Sequence, residues 1–590
     1  MASDSNNNNV ARFTQNDERG IRPEKFTCYI IGESTLPVKC GEMLLQAGHT
    51  IYGIISNDSA VNQWAAEKNI PCIKVIKSRI FPFLSEHEFD YLLSINGDYV
   101  MPEAVLALPR QMAINYHDSP LPLYAGMYAT SWALMNREKV HAISWHQADT
   151  GIDTGDILNQ LPVPIEPRDT AFTLNLRCYE TALKAFEELL GPLETRQINK
   201  QKQDLTRRTY FGYYLRPNTA CIFSFNNEAH NIDAFLRALD FGSYDNPLGM
   251  PKIMVGKDFF IIPAVEVTGV CSTQPPGTVA HMNDHSITLA TRSADIHIKT
   301  IYTLEGGIIN IPEFTEKYQI REGYVFMDIE GEIAQKIHEY YSIICRYERY
   351  WEKRLRAIQP PDLFTLRGES AKVGDAALYK ISFHIPGIIN LTARSGDITR
   401  AGFLIAVYSI YLYKLTGLLS FDLGYTHPGT QKEISGMEEL FAMTVPLHIE
   451  LNPHETFQEL AGSLEKELYR LHKHKTFIKD ITMRYPGLKS TSAKQQTLGY
   501  STVTLAANPD DIHPPGNPGI HLVIPGQGSE CVCYCHPAII DKNSLSMDIN
   551  EINSAVAENN NIKLTDIRIS NDLTYSEMDI SPGDLDDFGF

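Results

Sequence analysis

Residues 25–56 read KFTCYIIGESTLPVKCGEMLLQAGHTIYGIIS. FTCYII is an apolar run of strand length, the next residues hold a turn glycine, KCGEMLLQAG has helical spacing, and TIYGIIS is a second strand-length run. Strand, helix and strand in so short a stretch predict a parallel pair with a right-handed crossover, hence an α/β domain on a Rossmann-like open parallel sheet. Working outward, strands are predicted at 90–95 (DYLLSI), 111–117 (QMAINYH) and 140–148 (VHAISWHQA), with a helix around Ala129 to Met135. Apolar residues at Phe172, Leu174, Leu176, Ala182, Leu183 and Phe186 predict a helix over 170–190 that packs back on the sheet and closes a first domain at 25–205.

The pattern then changes. Over 206–320 there is one helical segment (231–239), a Gly/Pro turn (DNPLGMP) and the short runs KIMV, DFFIIP, VEVTGV, SITLA and IHIKTI, which predict a small β barrel or sandwich. Over 330–570 a long helical stretch ends at Pro360-Pro361, followed by the strand ALYKISFHIP and the helices TRAGFLIAVYSIYLYKLTG and TFQELAGSLEKELYRLHKH, a second α/β domain. Residues 1–24, rich in Asn, Ser and Asp, are expected to be disordered, and 571–590 to be an extended acidic tail.

Charge limits the partners. With 52 basic against 71 acidic residues the net charge is -19, which repels polyphosphates and leaves no overall footprint for nucleic acid or an anionic membrane. Ten cysteines, most of them isolated, do not form a disulfide framework and fit a reducing cytoplasm. The N-terminus lacks the apolar core of a signal peptide, and no run reaches the ~18 apolar residues of a membrane span.

The chemistry concentrates in Asn115-Tyr116-His117-Asp118-Ser119-Pro120-Leu121-Pro122 and, later, Asp153-Thr154-Gly155-Asp156-Ile157-Leu158. On a strand, residues i and i+2 share a face, so Asn115 and His117 project together at the carboxyl end of a parallel sheet, where open α/β sheets bind ligands. An amide, an imidazole and a carboxylate converging there form a kit for acyl transfer: donors to hold an oxyanion and a carboxylate to orient the imidazole or manage protons.

The longer text INYHDSPLPLYAGMYATSWALMNREKVHAISWHQADTGIDTGDIL resembles the signature of the folate-dependent formyltransferases: Asn-x-His, Leu-Pro, a Gly, a Trp-containing helix and Asp-Thr-Gly-Asp, in that order. His117 and Asp153 stand 36 positions apart, compatible with that family. The resemblance implies transfer of a formyl group from 10-formyltetrahydrofolate to a primary amine, with no metal. It implies Asn115 as oxyanion donor, His117 as donor or proton carrier, and Asp153 as the carboxylate that positions His117 and accepts the amine proton. Tyr99, Val100 and Met101, with Asp149, Gly151 and Ile152, are implied as the holders of the pterin edge, although SINGDY departs from the more apolar text of the family. FGYYLRPNTACIFSFNNEAHNIDAFLRALDFGSYDNPLGMPKI is similar to the post-catalytic region of methionyl-tRNA formyltransferases and of formyltransferase modules in peptide synthetase assembly lines, which implies an OB-like β domain.

RYWEKRLRAIQPPDLF, LFAMTVPLHIELNPHETFQELAGSLEKELYRLHKH and SNDLTYSEMDISPGDLDDFGF resemble the carboxyl half of a nonribosomal peptide synthetase condensation domain. The His-His-x-x-x-Asp-Gly motif of a complete domain is absent from the sequence, so residues 330–590 are expected to serve as scaffold or as a docking surface for a carrier protein or synthetase partner. The acceptor implied is an amino acid, an aminoacyl-carrier conjugate or a related amine of secondary metabolism. The alternatives are an amino sugar on a nucleotide, for which no basic cluster stands out in the sequence, and a catalytically degenerate docking subunit. Cys531, Cys533 and Cys535 alternate on a strand, the first and last ~13 Å apart, too far to share one ion. His472 to Lys475 complement a helix carboxyl end, and Trp132 is expected to pack in the core.

Overall fold

The computed structural model describes residues 24–361, 363, 378–384, 398–491, 498–506, 519–526, 530–537, 539 and 542–570; the expected disordered start, up to residue 23, and the acidic tail at 571–590 lie outside them. The chain divides into two compact units, one reaching Tyr213 and the other beginning at Tyr214.

In the first unit the predicted run becomes β1 (Thr27–Gly32), α1 (Leu36–Gln46) and β2 (Thr50–Ile55), followed by α2 (Ser59–Glu67), β3 (Cys72–Ile73), α3 (Lys77–Leu84), β4 (Tyr91–Ile95), α4 (Glu103–Leu106) and β5 (Met112–His117). After them come β6 (Ala125–Gly126), α5 (Ala129–Met135), β7 (Val140–Gln147), β8 (Ile157–Pro164), α6 (Ala171–Thr195) and β9 (Tyr210–Phe211). The main sheet has the order β3-β2-β1-β4-β5-β7-β8, a Rossmann-like α/β arrangement.

The expectation of an open parallel sheet needs a correction. β3, β2, β1, β4 and β5 are parallel, but β7 runs antiparallel to β5, and β8 antiparallel to β7. The segment after β5 holds only the seven-residue α5, about 10 Å long, so it makes no crossover and the chain re-enters at the edge it left. β7 and β8 are then joined by a loop without a helix, which again reverses direction. Strand β8, absent from the sequence reading, is the extra edge.

α6 follows the expected helix closely. Thr170 caps it in a reciprocal box with Thr173, and Leu174, Cys178, Ala182, Phe186, Leu189 and Leu193 form its buried stripe. Trp145 of β7 packs on Phe186 at 4.9 Å and donates to the Ala182 carbonyl. Leu176, assigned to the same face in the sequence, is exposed.

In the second unit two four-stranded antiparallel sheets lie between Lys252 and Ile309, over a core that includes Phe260, Leu289, Ile296 and Phe314. The long helical stretch expected before Pro360 is broken by a tight turn at Cys345–Tyr347 into helices Gly331–Ile344 and Glu348–Arg356. Beyond it a six-stranded mixed sheet packs against helices Arg400–Thr416, Phe457–His474 and Lys542–Glu558. Helix Arg400–Thr416 is buried continuously from Gly402 to Lys414, which accounts for its apolar text all round. Cys531, Cys533 and Cys535 are fully buried in the same core. A buried charge network ties the small sheets to the rest of the unit: Lys252 pairs with Asp480, Asp480 with Arg484 Nε at 2.7 Å, and Arg484 with both oxygens of Glu348 at 2.7 Å. Among the described residues no helix is long and apolar enough to cross a membrane.

Candidate active site

β5 lies between β4 and β7, with Asn115 opposite Ser94 on one side and His146 on the other. Strand alternation turns Asn115 and His117 to one face and sends Tyr116 to the other, where its ring meets Trp145 at 5.3 Å. Asn115 Nδ2 donates to His146 Nε2 at 3.1 Å, which orients the amide and leaves its second hydrogen for another acceptor. His117 is buried, and its Nε2 lies 2.9 Å from the Tyr124 carbonyl. A carbonyl only accepts, so Nε2 carries a hydrogen and Nδ1 is the nitrogen that faces the site.

Two carboxylates stand before that nitrogen. Asp153 Oδ2 is 3.8 Å from His117 Nδ1 and Asp118 Oδ1 is 3.9 Å from it. Asp153 also accepts from the Gly126 N–H at 2.8 Å, and its Oδ1 is 3.5 Å from His146 Nε2. Burial pushes the Asp153 carboxyl pKa up, but the charge of His117, the hydrogen bond and charge of His146 and the Gly126 N–H together outweigh it and hold the group well below the usual carboxylate range. His146 Nδ1 gives its hydrogen to the Gln147 carbonyl at 2.9 Å.

Backbone geometry fixes this cluster. Asp153 has φ 56, a left-handed conformation that costs a non-glycine residue roughly 1–3 kcal/mol unless its surroundings impose it. The surroundings do so: Gln203 Nε2 donates to the carbonyls of Asp153 (3.0 Å) and Gly155 (2.6 Å), and Arg208 Nη2 donates to that of Ile152 (2.9 Å). Gly126, at φ 99, delivers its N–H to Asp153 only because it has no side chain, since a Cβ there would lie 2.1 Å from the Phe211 carbonyl oxygen. Phe211 stacks on Tyr124 and on Trp132, at 5.6 and 4.8 Å, so Trp132 packs beneath the site.

Asn115, His117 and Asp153 are therefore brought together. The other six expected residues lie in two loops. Tyr99 and Met101, just after β4, are half-buried and pack with Ala148 against a cluster that includes Leu92, Val105 and Ala113. Val100 is 70% exposed and Ile152 41% exposed, while Asp149 and Gly151 are also open to solvent. The Asp149 carboxylate is engaged within its own loop by the Gly151 N–H and the Thr154 hydroxyl. A half-buried ring and thioether beside exposed aliphatic side chains suit a flat heterocycle that needs apolar faces, so these residues fit a pterin.

His146, Gln203 and Arg208 escape the sequence reading, and Gly126 enters it only as the Gly of the family signature, without its contact to Asp153. His146 sits in a predicted strand, but its place beside Asn115 depends on the β5–β7 register, which local patterning does not carry.

The formyl transferase family matches residues 56–190. A methionyl-tRNA formyltransferase of Legionella pneumophila (strain Paris) is 23% identical over 314 residues, which cover 50% of this chain and 98% of the relative. The protein is a formyl-transferring enzyme. Formyl transfer from a folate donor is the reaction these likenesses support. The enzyme is also 32% identical over 155 residues to a methionyl-tRNA formyltransferase of Hydrogenovibrio crunogenus, covering 26% of this chain and 50% of the relative. Among solved structures it is similar to an N-formyltransferase from Helicobacter canadensis in complex with folinic acid and dTDP-3-aminofucose, at 20% identity, 47% of this chain, 99% of that one and a TM-score of 0.39.

Proposed function

We propose that the enzyme moves a formyl group from 10-formyltetrahydrofolate to the primary amine of an amino acid or related natural-product precursor, free or carrier-bound. The observation that carries this is the convergence of the Asn115 amide, the His117 Nδ1 and the Asp153 carboxylate. Tyr99, Val100, Met101, Asp149, Gly151 and Ile152 would hold the pterin edge. The folate supplies an activated formyl carbon when bound.

Each side chain has one task. Asp153, ionised well below the ordinary range, takes a proton from the amine as nitrogen bonds to carbon. Asn115 directs its free N–H at the formyl oxygen, where negative charge develops, and does so without reorganising because His146 already fixes the amide. His117 serves as proton carrier: its Nδ1, facing the two carboxylates, delivers a proton toward the departing nitrogen as the old carbon–nitrogen bond breaks. One proton leaves the acceptor and one arrives on the donor, so the transfer balances.

Incubation of the full chain with 10-formyltetrahydrofolate and a panel of primary amines, followed by mass spectrometry, tests the assignment. The expected product gains one CO and disappears in Asn115→Ala and His117→Ala; an unmodified panel with folate still bound would overturn it. For residues 330–590 we propose a docking role toward a carrier protein or synthetase partner, supported by the sequence resemblance. Failure of the full chain to retain a carrier protein in any loading state would remove that role.

A further inference from the structure

Two cations beside the Asp153 loop have no carboxylate partner among the described residues. Arg208 donates from Nη2 to the Ile152 carbonyl at 2.9 Å and stands 4.8 Å over the Tyr210 ring, and its Nε is buried without a hydrogen-bond partner. Lys200 reaches the Gln147 side-chain oxygen at 2.9 Å. Lys25, Lys39, Arg110, Arg177 and Arg196 of this unit meet acidic side chains, while other surface cations such as Lys68 and Lys184 do not, so the place of Arg208 beside the Asp153 loop is what distinguishes it. With 71 acidic residues to 52 basic ones, an uncompensated guanidinium beside the Asp153 loop runs against the charge balance of the chain.

Holding the loop does not require that charge. Gln203 grips the carbonyls of Asp153 and Gly155 from the same stretch of chain with a neutral amide. Arg208 instead presents a flat guanidinium with one of its five N–H groups committed, pre-set by the carbonyl and the ring, which is the form suited to bind a carboxylate or phosphate. The Ile152 carbonyl belongs to the peptide that precedes Asp153, so the guanidinium lies on the order of 10 Å or less from the carboxylate that receives the amine proton.

We propose that Arg208 binds an anionic group carried by the acceptor within a few bonds of its amine, so that the acceptor is a free amino acid or similar amino acid-like anion. This rests on the assignment of Asp153 to the acceptor amine. It selects against an aminoacyl thioester, whose carboxyl charge is lost, and a carboxylate and a small phosphate present the same chemistry to the guanidinium.

The full chain is assayed with an amino acid panel, the matching methyl esters and aminoalkyl phosphates of the same length. The ratio of kcat/KM for acid over ester is compared in wild type, Arg208→Gln and Arg208→Lys. The acid is expected to lead by about 10-fold to 100-fold, the scale of one charge-assisted contact. Arg208→Gln should bring the ratio close to one by slowing the acid more than the ester, with part of it kept by Arg208→Lys. A purely structural role would slow acid and ester equally and leave the ratio unchanged, which overturns the proposal. Preference for the phosphate that Arg208→Gln also removes keeps the anion site and assigns phosphate to it. Calorimetric binding of the acids separates the two layers. Binding that Arg208→Gln abolishes, without transfer to any amine, keeps the anion site and removes the formyl acceptor assignment; absence of binding and of any acid preference in wild type removes the anion site.

Discussion

His117 and Asp153 meet with Nδ1 and Oδ2 3.8 Å apart, one from the end of a sheet strand and the other from a loop held in a left-handed conformation. Neither position is improvised by side-chain rotation: the imidazole is tethered by the Tyr124 carbonyl and the carboxylate by the Gly126 N–H. The pair is preorganised, and its loss should be felt in turnover more than in binding. Asp153→Asn keeps the shape and removes the proton acceptor. Turnover is expected to fall by about 100-fold to 10,000-fold, the usual range for a general base, while donor affinity measured by equilibrium dialysis stays within a few-fold. A comparable fall in donor affinity would place Asp153 in the donor pocket instead.

His146 touches two of the proposed catalytic groups, Asn115 at 3.1 Å and Asp153 at 3.5 Å. In His146→Phe the Asp153 carboxyl loses a hydrogen bond and a positive charge, while the burial that pushes its pKa upward remains. Its pKa therefore rises. In the proposed mechanism activity depends on the ionised form, so the acid limb of kcat/KM should move to higher pH, and the Asn115 amide, now loose, should cost a further several-fold in turnover. A pH–rate profile distinguishes this from a packing defect, which would lower the rate at every pH without moving the limb.

Local patterning made the β1-α1-β2 unit, α5 and α6 legible, because their apolar residues repeat with the period of the element that buries them. Asn115 and His117 were legible as a pair for the same reason, two steps apart on one strand. Asp153 was reachable through family resemblance alone, since its place depends on a backbone turn fixed by Gly126, Gln203 and Arg208 from elsewhere in the chain. The antiparallel course of β7 and β8 was hidden because strand direction lies in the connections: a strand alternates alike in either sense. His146 was lost with it, being a neighbour of Asn115 only in the antiparallel register.

The second unit carries its own vulnerable point. Arg484 is fully buried and bridges Glu348 and Asp480, while Asp480 keeps Lys252 as a second partner. Arg484→Met takes the cation from the Glu348 carboxylate, which keeps the Tyr485 hydroxyl as a donor, and should lower the stability of this unit by about 3–5 kcal/mol, the cost typical of breaking a buried pair. Adding Glu348→Leu removes the unpaired charge, leaves Lys252 with Asp480, takes one acceptor from the Tyr485 hydroxyl, and should recover part of the loss. Urea unfolding of the three proteins checks the order; a double variant less stable than Arg484→Met would refute this account of the network.

Acid should loosen the same unit through His521. This residue is fully buried on the strand Ile520–Pro525, its Nδ1 bonded to Thr502 and its Nε2 without a partner, and burial brings its pKa down from 6.5 to about 4. Between those values the unfolded chain takes up a proton that the native state refuses, so the unfolded state binds more protons and stability falls as the pH falls. The loss begins near pH 6.5, is complete near pH 4, and amounts to about 3 kcal/mol at 1.36 kcal/mol per unit. His427, half-buried and facing His472, has its pKa lowered to about 4 by burial and by that neighbour, and adds a smaller effect of the same sign. Denaturant midpoints measured from pH 7.5 to 5 should fall in the wild type and fall less steeply in His521→Gln. Parallel curves for the two proteins would show that the acid sensitivity resides elsewhere.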